Sequence, residues 1–328
     1  MNIEQYISQL FQNGSLFRGH SLRLDAIVDS STVGCQLLSY HSGLEKYMLT
    51  HMIAADVEEE IRDQLKHRYL SFESLDSPHL AKIYDIGFRS KYFFAVCEDV
   101  AGIPLSEKLK SAPLSELESM DLLMPVAETL VDLWNQGIIY HCLHPQAIKM
   151  APSGRLKLDI PLFAGVHNDH DEGEIMHDIL SQKMGCYWAP EEADNEHFDF
   201  RADVFSFGVI LYEAMTGEMP FLSYDEQHEY CTLDPHLVNS YLDDEAANIL
   251  RQFLDSRPNK RCSTPAHFLS LLRQLHDSYL NNPLINKNAA TIVIDLPEKE
   301  KTEAISVGSE VGNCIILKEI GNGSYGKV

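Results

Sequence analysis

The chain has 328 residues, 45% of them hydrophobic, and its 26 basic and 49 acidic side chains give a formal net charge of -23. This length and composition allow one large core or two smaller ones, so a globular fold is expected. The negative charge repels nucleic-acid phosphates and anionic lipid head groups, which argues against nucleic acid or membrane as a direct partner. No apolar run reaches the roughly 18 residues that a membrane span requires.

The seven cysteines contain no Cys-x-x-Cys pair and follow no regular spacing. This pattern favours reduced cysteines in a cytoplasmic protein over a disulfide framework. Residues 1–20 have an acidic residue near their start and no long apolar core, so we interpret them as an amphipathic lead-in rather than a signal peptide.

Residues 22–52 alternate short strand-like runs with turn residues, which predicts a small antiparallel sheet. A charged helix-like stretch follows at 56–72, and it ends before the segment LDSPHL at 75–80. Ser115 and Glu118 have the spacing of a capping box, and they predict the start of an amphipathic helix that ends at Gly137.

The most apolar segment runs from Asp203 to Thr216, and its hydrophobic residues cover every side of a helix. Such a helix has no polar face to turn toward water, so it is predicted to be buried all round. Two further helical segments are predicted at 237–253 and 264–279.

Several motifs resemble the large lobe of protein kinases. They are Ala-Pro-Glu at 189–191, Asp-Val-Phe-Ser-Phe-Gly-Val at 203–209, an arginine at 261, and YHCLHPQAI at 140–148 in place of the family's HRDLKPxN[IV]. The resemblance implies an α+β bilobal fold over residues 21–280, with a small antiparallel β lobe and a large helical lobe. It also implies structural roles: Glu191 pairs with Arg261, Asp203 holds the catalytic loop, and Pro145 and Gly208 maintain the fold.

By the same resemblance, the positions that carry catalysis in the family have all changed. The replacements are His51 for the phosphate-gripping lysine, Arg68 for its glutamate partner, Cys142 for the catalytic aspartate, His144 for the phosphate-contacting lysine, Ala147 for the metal-binding asparagine and Ile160 for the aspartate of Asp-Phe-Gly. A thiol is a poor ligand for magnesium and an alanine side chain is none. We therefore expect no metal site and no required cofactor in this domain.

Asp159 lies one residue before the position of the lost aspartate. Because successive strand side chains point to opposite faces, its carboxylate is expected to aim away from the site, unless a one-residue bulge turns it back. The acidic and histidine-rich stretch at 167–178 is interpreted as a solvated loop in preference to a metal site.

Residues 281–313 have a linker-like composition. The motif GNGSYGKV at 321–328 then follows a strand-like run, and it resembles the phosphate loop that opens a kinase domain. The resemblance implies that 314–328 begin a second, truncated kinase domain, which would use ATP and Mg when intact. Its expected nucleotide-binding residues are Ile320, Gly321, Gly323, Gly326 and Val328.

The leading hypothesis is a pseudokinase that regulates or scaffolds an adjacent serine/threonine kinase domain, its partner in cis. One alternative is a weakly active or atypical ATP-dependent serine/threonine kinase in which Asp159 or an acidic loop residue binds the metal. Another is a scaffold for a different protein altogether. The choice rests on selective loss, because structural motifs persist while catalytic positions have changed.

Overall fold

The computed structural model describes residues 22–30, 34–54, 59–89, 92–110, 112–141, 143–161, 185–193, 199–221, 232–281, 310–311, 314–315, 322–323 and 326–327. The chain divides into two compact units, Met1–Asn282 and Pro283–Val328. The predicted lead-in and most of the predicted linker lie outside the described residues.

The first part of unit 1 is a five-stranded antiparallel sheet. Its strands are β1 (Leu22–Ser30), β2 (Gly34–His41), β3 (Lys46–Ala54), β4 (Ile83–Arg89) and β5 (Tyr92–Glu98), in the order β1-β2-β3-β5-β4. Alternate side chains form its core because strand residues point to opposite faces in turn. This core consists of Leu22, Leu24, Cys35, Leu37, Met48, Met52, Tyr92, Phe94 and Val96. The predicted small sheet is confirmed.

Helix α1 (Glu59–Ser74) joins β3 to β4, and the helical lobe follows β5. That lobe begins with β6 (Ile103–Pro104), α2 (Leu105–Leu109) and α3 (Glu116–Asn135). Strands β7 (Ile148–Met150) and β8 (Leu156–Leu158) complete a three-stranded sheet in the order β6-β7-β8. The remaining helices are α4 (Pro190–Ala193), α5 (Phe200–Thr216), α6 (Pro235–Val238), α7 (Asp244–Phe253), α8 (Pro258–Arg261) and α9 (Pro265–Asn281).

Helix α5 is the predicted core helix, and its side chains are buried on every side. Asp199 caps its first turn by accepting a hydrogen bond from the Arg201 amide at 2.9 Å. The helix ends at Gly217, whose φ of 79° closes the last turn in the left-handed region. Gly208 lies where α5 meets α7, and a Cβ there would stand 2.8 Å from the Cβ of Phe253.

The predicted capping box is present at the start of α3, where Ser115 and Glu118 bond reciprocally. The predicted single helix at 237–253 is wrong, because the chain forms two helices with a break between them. Asp243 accepts a hydrogen bond from the Ala246 amide at 2.8 Å and so starts α7 anew. Asn239, just after α6, donates instead to the carbonyl of Met215 at 3.1 Å.

Unit 2 contains two short antiparallel pairs among its described residues. Strand β9 (Glu310–Val311) pairs with β10 (Cys314–Ile315), and β11 (Asn322–Gly323) pairs with β12 (Gly326–Lys327). Across both units, the described helices include none with the length and apolar character needed to cross a bilayer.

Candidate functional site

The candidate site lies in unit 1, where β3 and α1 meet the loops that flank β7 and β8. The two lobes are joined beside it through backbone hydrogen bonds. Leu158 donates to the carbonyl of His79 at 2.8 Å, and its own carbonyl accepts from the amide of Ala81 at 2.8 Å. Lys157 adds a charged contact to Glu98, at 2.7 Å from either carboxylate oxygen.

His51 stands on β3 with only 1% of its surface exposed. Its Nε2 lies 3.2 Å from the side-chain amide nitrogen of Gln36, and its Nδ1 lies 2.8 Å from the hydroxyl of Tyr69. Because an amide nitrogen only donates, Nε2 accepts the hydrogen bond from Gln36. The ring proton is then on Nδ1, which donates a hydrogen bond to the hydroxyl oxygen of Tyr69. Burial lowers the pKa of His51 to about 3, so the ring is neutral at physiological pH. A neutral imidazole does not supply the charge of a phosphate-gripping lysine.

Arg68 bonds to the large lobe and not to His51, although the resemblance assigns it to the family's glutamate position. One terminal nitrogen of its guanidinium donates to the carbonyls of Ile139 at 2.6 Å and Tyr140 at 3.1 Å. The next residue, Tyr69, meets the histidine instead, because consecutive helix positions differ by about 100° around the axis. The sequence carried a signal for this: Tyr69 and Phe72 are an apolar pair at helical spacing, and both are buried.

The loop that begins at Tyr140 is held by Asp203, which is 1% exposed. One carboxylate oxygen accepts from the amide of Tyr140 at 2.7 Å and from the indole nitrogen of Trp134 at 2.8 Å. The other oxygen accepts from the amide of His141 at 2.9 Å. His141 adopts a φ of 52°, an uncommon conformation for a residue other than glycine. Cys142 lies outside the described residues.

His144 and Ala147 bracket the short turn that begins at Pro145, a buried residue. The Nδ1 of His144 is shielded from solvent and has no hydrogen-bond partner among the described residues. Burial, with a smaller effect from the charge of Lys149, lowers the pKa of His144 to about 4. Ala147 takes part through its carbonyl, which accepts from the amide of Asp159 at 2.8 Å. Neither side chain carries a charge toward a phosphate at physiological pH.

Asp159 follows β8, and its Oδ2 lies 3.7 Å from the Nζ of Lys149. Its Oδ1 is buried, and within the part of the chain that the structure describes it has no hydrogen-bond partner. Burial raises the pKa of Asp159 to about 7, against the opposing effect of Lys149, while the carboxylates of Asp99 and Glu98 raise it further. The carboxyl group therefore belongs to a polar cluster beside the connection between the lobes.

The residues present do not fit a magnesium ion at the two positions that the resemblance assigns to metal ligands. Ala147 has no ligand atom in its side chain, and Ile160 is an apolar residue with 2% exposure. Magnesium requires oxygen ligands in a near-octahedral arrangement. Within the described ranges, no group of three or more histidine, cysteine, aspartate or glutamate side chains is arranged to hold a metal.

Glu191 and Arg261 form a bidentate ion pair in the helical lobe. The guanidinium nitrogens lie 2.6 and 2.8 Å from the two carboxylate oxygens, and the arginine side chain is fully buried. The guanidinium also donates to the carbonyl of Asp255 at 2.7 Å and stacks 4.7 Å from the ring centre of Phe205. These contacts join α4, α5 and α8.

The glycine motif at the end of the chain is described only in part. Gly323 and Gly326 lie opposite each other in the β11–β12 pair. Ile320, Gly321 and Val328 lie outside the described residues.

Residues 33–274 match the family profile described as protein kinase domain. A probable serine/threonine-protein kinase of Clostridium perfringens is 24% identical over 224 residues, covering 66% of this chain and 32% of that protein. Serine/threonine-protein kinase ULK3 of Xenopus laevis is 28% identical over 234 residues, covering 70% of this chain and 49% of that protein. The chain thus spans about a third to a half of the length of these curated relatives.

The fold is similar to that in a crystal structure of a mutant PknI kinase domain of Mycobacterium tuberculosis. The TM-score is 0.61 at 17% identity, and the match covers 80% of this chain and 97% of that chain. Both structures have the bilobal fold, with an antiparallel small lobe and a helical large lobe.

Proposed function

Because this chain belongs to the protein kinase family, as the match over residues 33–274 shows, we propose that its kinase-like domain transfers no phosphate and instead regulates or scaffolds a serine/threonine kinase domain. The observation that carries the proposal is the neutral His51, which is buried and bonded on both ring nitrogens. Phosphoryl transfer depends on positive charge and metal ions at the phosphates, and here the lysine position supplies no charge.

The same site lacks the groups that would compensate for that loss. Ala147 and Ile160 offer no oxygen to a metal ion, and His144 is neutral at physiological pH. The structural contacts of the family persist beside them, with Asp203 holding the catalytic loop and Glu191 bonded to Arg261. This combination supports a role that depends on shape and surface rather than on chemistry.

The test is a phosphotransfer assay on the full chain with ATP and either magnesium or manganese. We expect no labelled product, whether by autophosphorylation or on a basic protein substrate. The control variant carries Cys142→Asp, Ala147→Asn and Ile160→Asp together. Turnover by the unaltered chain that rises in this variant would overturn the proposal.

A second candidate is a weakly active or atypical serine/threonine kinase. The observation in its favour is Asp159, whose Oδ1 bonds to none of the described residues and which lies one residue from the family's metal-ligand position. Thermal unfolding of the full chain with ATP, with and without magnesium, separates the two candidates. A ligand at about 100 times its Kd stabilises the protein by about 2.7 kcal/mol. A magnesium-dependent rise in Tm that disappears in Asp159→Asn supports the enzyme.

The proposed partner is a kinase domain in cis, and the glycine motif at 321–328 supports this choice. That domain would bind ATP and magnesium itself, whereas the kinase-like domain at 21–280 requires no cofactor. We place both in the cytoplasm, in a signalling protein. Co-purification of residues 1–282 with a separately expressed segment that starts at 283 tests this contact. If the partner is instead a different protein, that protein would still bind residues 1–282 after the second segment is deleted.

A further inference from the structure

The backbone at Tyr140 is bound from two sides. Its carbonyl accepts a hydrogen bond from Arg68 of α1 at 3.1 Å, and its amide donates to Asp203 of α5 at 2.7 Å. The preceding carbonyl, of Ile139, accepts a second bond from the same nitrogen of Arg68 at 2.6 Å. A short segment of the large lobe thus connects the small-lobe helix to the buried central helix.

A second contact fixes α1 on its other side. Tyr69 bonds to His51 on β3, and its ring packs against Phe93 with centroids 5.1 Å apart. Neighbouring residues of one helix therefore bind the small-lobe sheet and the large lobe at once. All the groups in these contacts belong to the protein.

The bond between His51 and Tyr69 needs no charge in the cleft between the lobes. His51 is neutral and bonded to Tyr69 and Gln36, so no anion is needed to balance it. The terminal nitrogen of Arg68 donates to backbone carbonyls, and hydrogen bonds from a charged donor are shorter and stronger than neutral ones. The bonds named here join groups of the protein to one another, so they form without a nucleotide.

We propose that Arg68 is an interlobe clamp that holds α1 against the large lobe in the absence of nucleotide. The position of α1 is then a fixed property of the fold rather than a response to a ligand. The competing explanation is that Arg68 only satisfies two carbonyls and supports global stability. The two explanations differ in where an Arg68 variant loosens the protein.

Hydrogen–deuterium exchange on the full chain distinguishes them. Arg68→Met keeps the length of the side chain and removes its donors. Lys66→Met removes a positive charge from an exposed position of the same helix and serves as the control. We expect amides of α1 and of residues 137–141 to exchange at least tenfold faster in Arg68→Met, with α5 amides unchanged and Lys66→Met unaffected.

Unchanged exchange in α1 and in 137–141, or equal acceleration in α5, would overturn the clamp. A second measurement uses the unaltered chain and applies even when Arg68→Met fails to fold. Exchange of α1 is compared with and without ATP, each with and without magnesium. The clamp requires the same protection in all four conditions, and a severalfold slowing on addition of ATP would contradict it.

Discussion

The imidazole of His51 and the hydroxyl of Tyr69 lie 2.8 Å apart in the interior of the small lobe. Burial keeps the ring uncharged, and Gln36 satisfies its second nitrogen. The site is therefore built for a neutral group. A lysine at this position, as the family has, would place a positive charge beside the uncharged side chains of Gln36 and Tyr69.

His51→Lys is expected to destabilise the fold by about 3 kcal/mol or more, because it would bury an ammonium beside the uncharged side chains of Gln36 and Tyr69. Urea unfolding of the full chain at pH 7 measures the loss. His67→Lys makes the same chemical change at an exposed position of α1 and should alter stability by less than about 0.5 kcal/mol. Equal stability of the two variants would show that the cleft accepts a cation.

Asp159→Asn is expected to stabilise the protein above neutral pH. Burial raises the pKa of Asp159 to about 7 from its ordinary value of 3.8, so the folded state binds this proton more tightly than the unfolded state does. Stability from this group is present at low pH and is lost as pH rises from about 4 to about 7.

The asparagine variant removes that loss, so its advantage should grow across the same interval and then stay constant. Loss of the Lys149 contact, at 3.7 Å, offsets part of the gain, and we expect a net effect of about 1–2 kcal/mol at pH 8. Denaturation midpoints between pH 4 and pH 8 provide the measurement. Asp63→Asn, at an exposed position, is the control, and an advantage independent of pH would refute the assignment.

Glu191→Gln and Arg261→Met should each destabilise the helical lobe by about 3–5 kcal/mol, because each leaves one member of a buried pair without its partner. The double variant should cost less than the sum of the two single changes. Thermal unfolding of all three gives the coupling energy. Arg257→Met breaks an exposed pair with Asp255 and should cost about 1 kcal/mol or less.

Gly208→Ala is expected to cost about 1–3 kcal/mol, because the added methyl group would lie 2.8 Å from the Cβ of Phe253 and push α5 away from α7. Thermal unfolding measures the loss. Gly43→Ala is the comparison, since its methyl group would meet only the end of the His41 side chain at 3.3 Å. A neutral result at Gly208 would mean that α7 shifts without penalty.

The sequence was sufficient to predict the features that depend on a local pattern of residue types. Alternation predicted the small sheet, all-round hydrophobicity predicted that α5 is buried, and Ser115 with Glu118 predicted the start of α3. Each of these depends on residues close together in the chain. Local spacing therefore determines them.

Contacts between segments that are distant in the chain were harder to predict from the sequence. The resemblance to the family, counted back from LDSPHL at 75–80, identified position 68, but rotation of the helix brings Tyr69 to His51 and directs Arg68 to carbonyls 71 and 72 residues away. The break between α6 and α7 was missed for a different reason. Hydrophobic spacing does not show it, whereas Asp243 caps α7 through a local hydrogen bond from the Ala246 amide and Asn239 bonds to a carbonyl of α5.

The order of strands in the small lobe bears on how the protein folds. Strands β1, β2 and β3 pair with their neighbours in the chain, whereas Asp203 reaches Tyr140 across 63 residues. Local pairings close small loops and form quickly, and distant ones form late. During synthesis on the ribosome, the small-lobe sheet is complete as a unit once β5 has emerged. The catalytic loop is held by Arg68 of α1 and by Asp203 of α5, so its second anchor is added only when α5 follows.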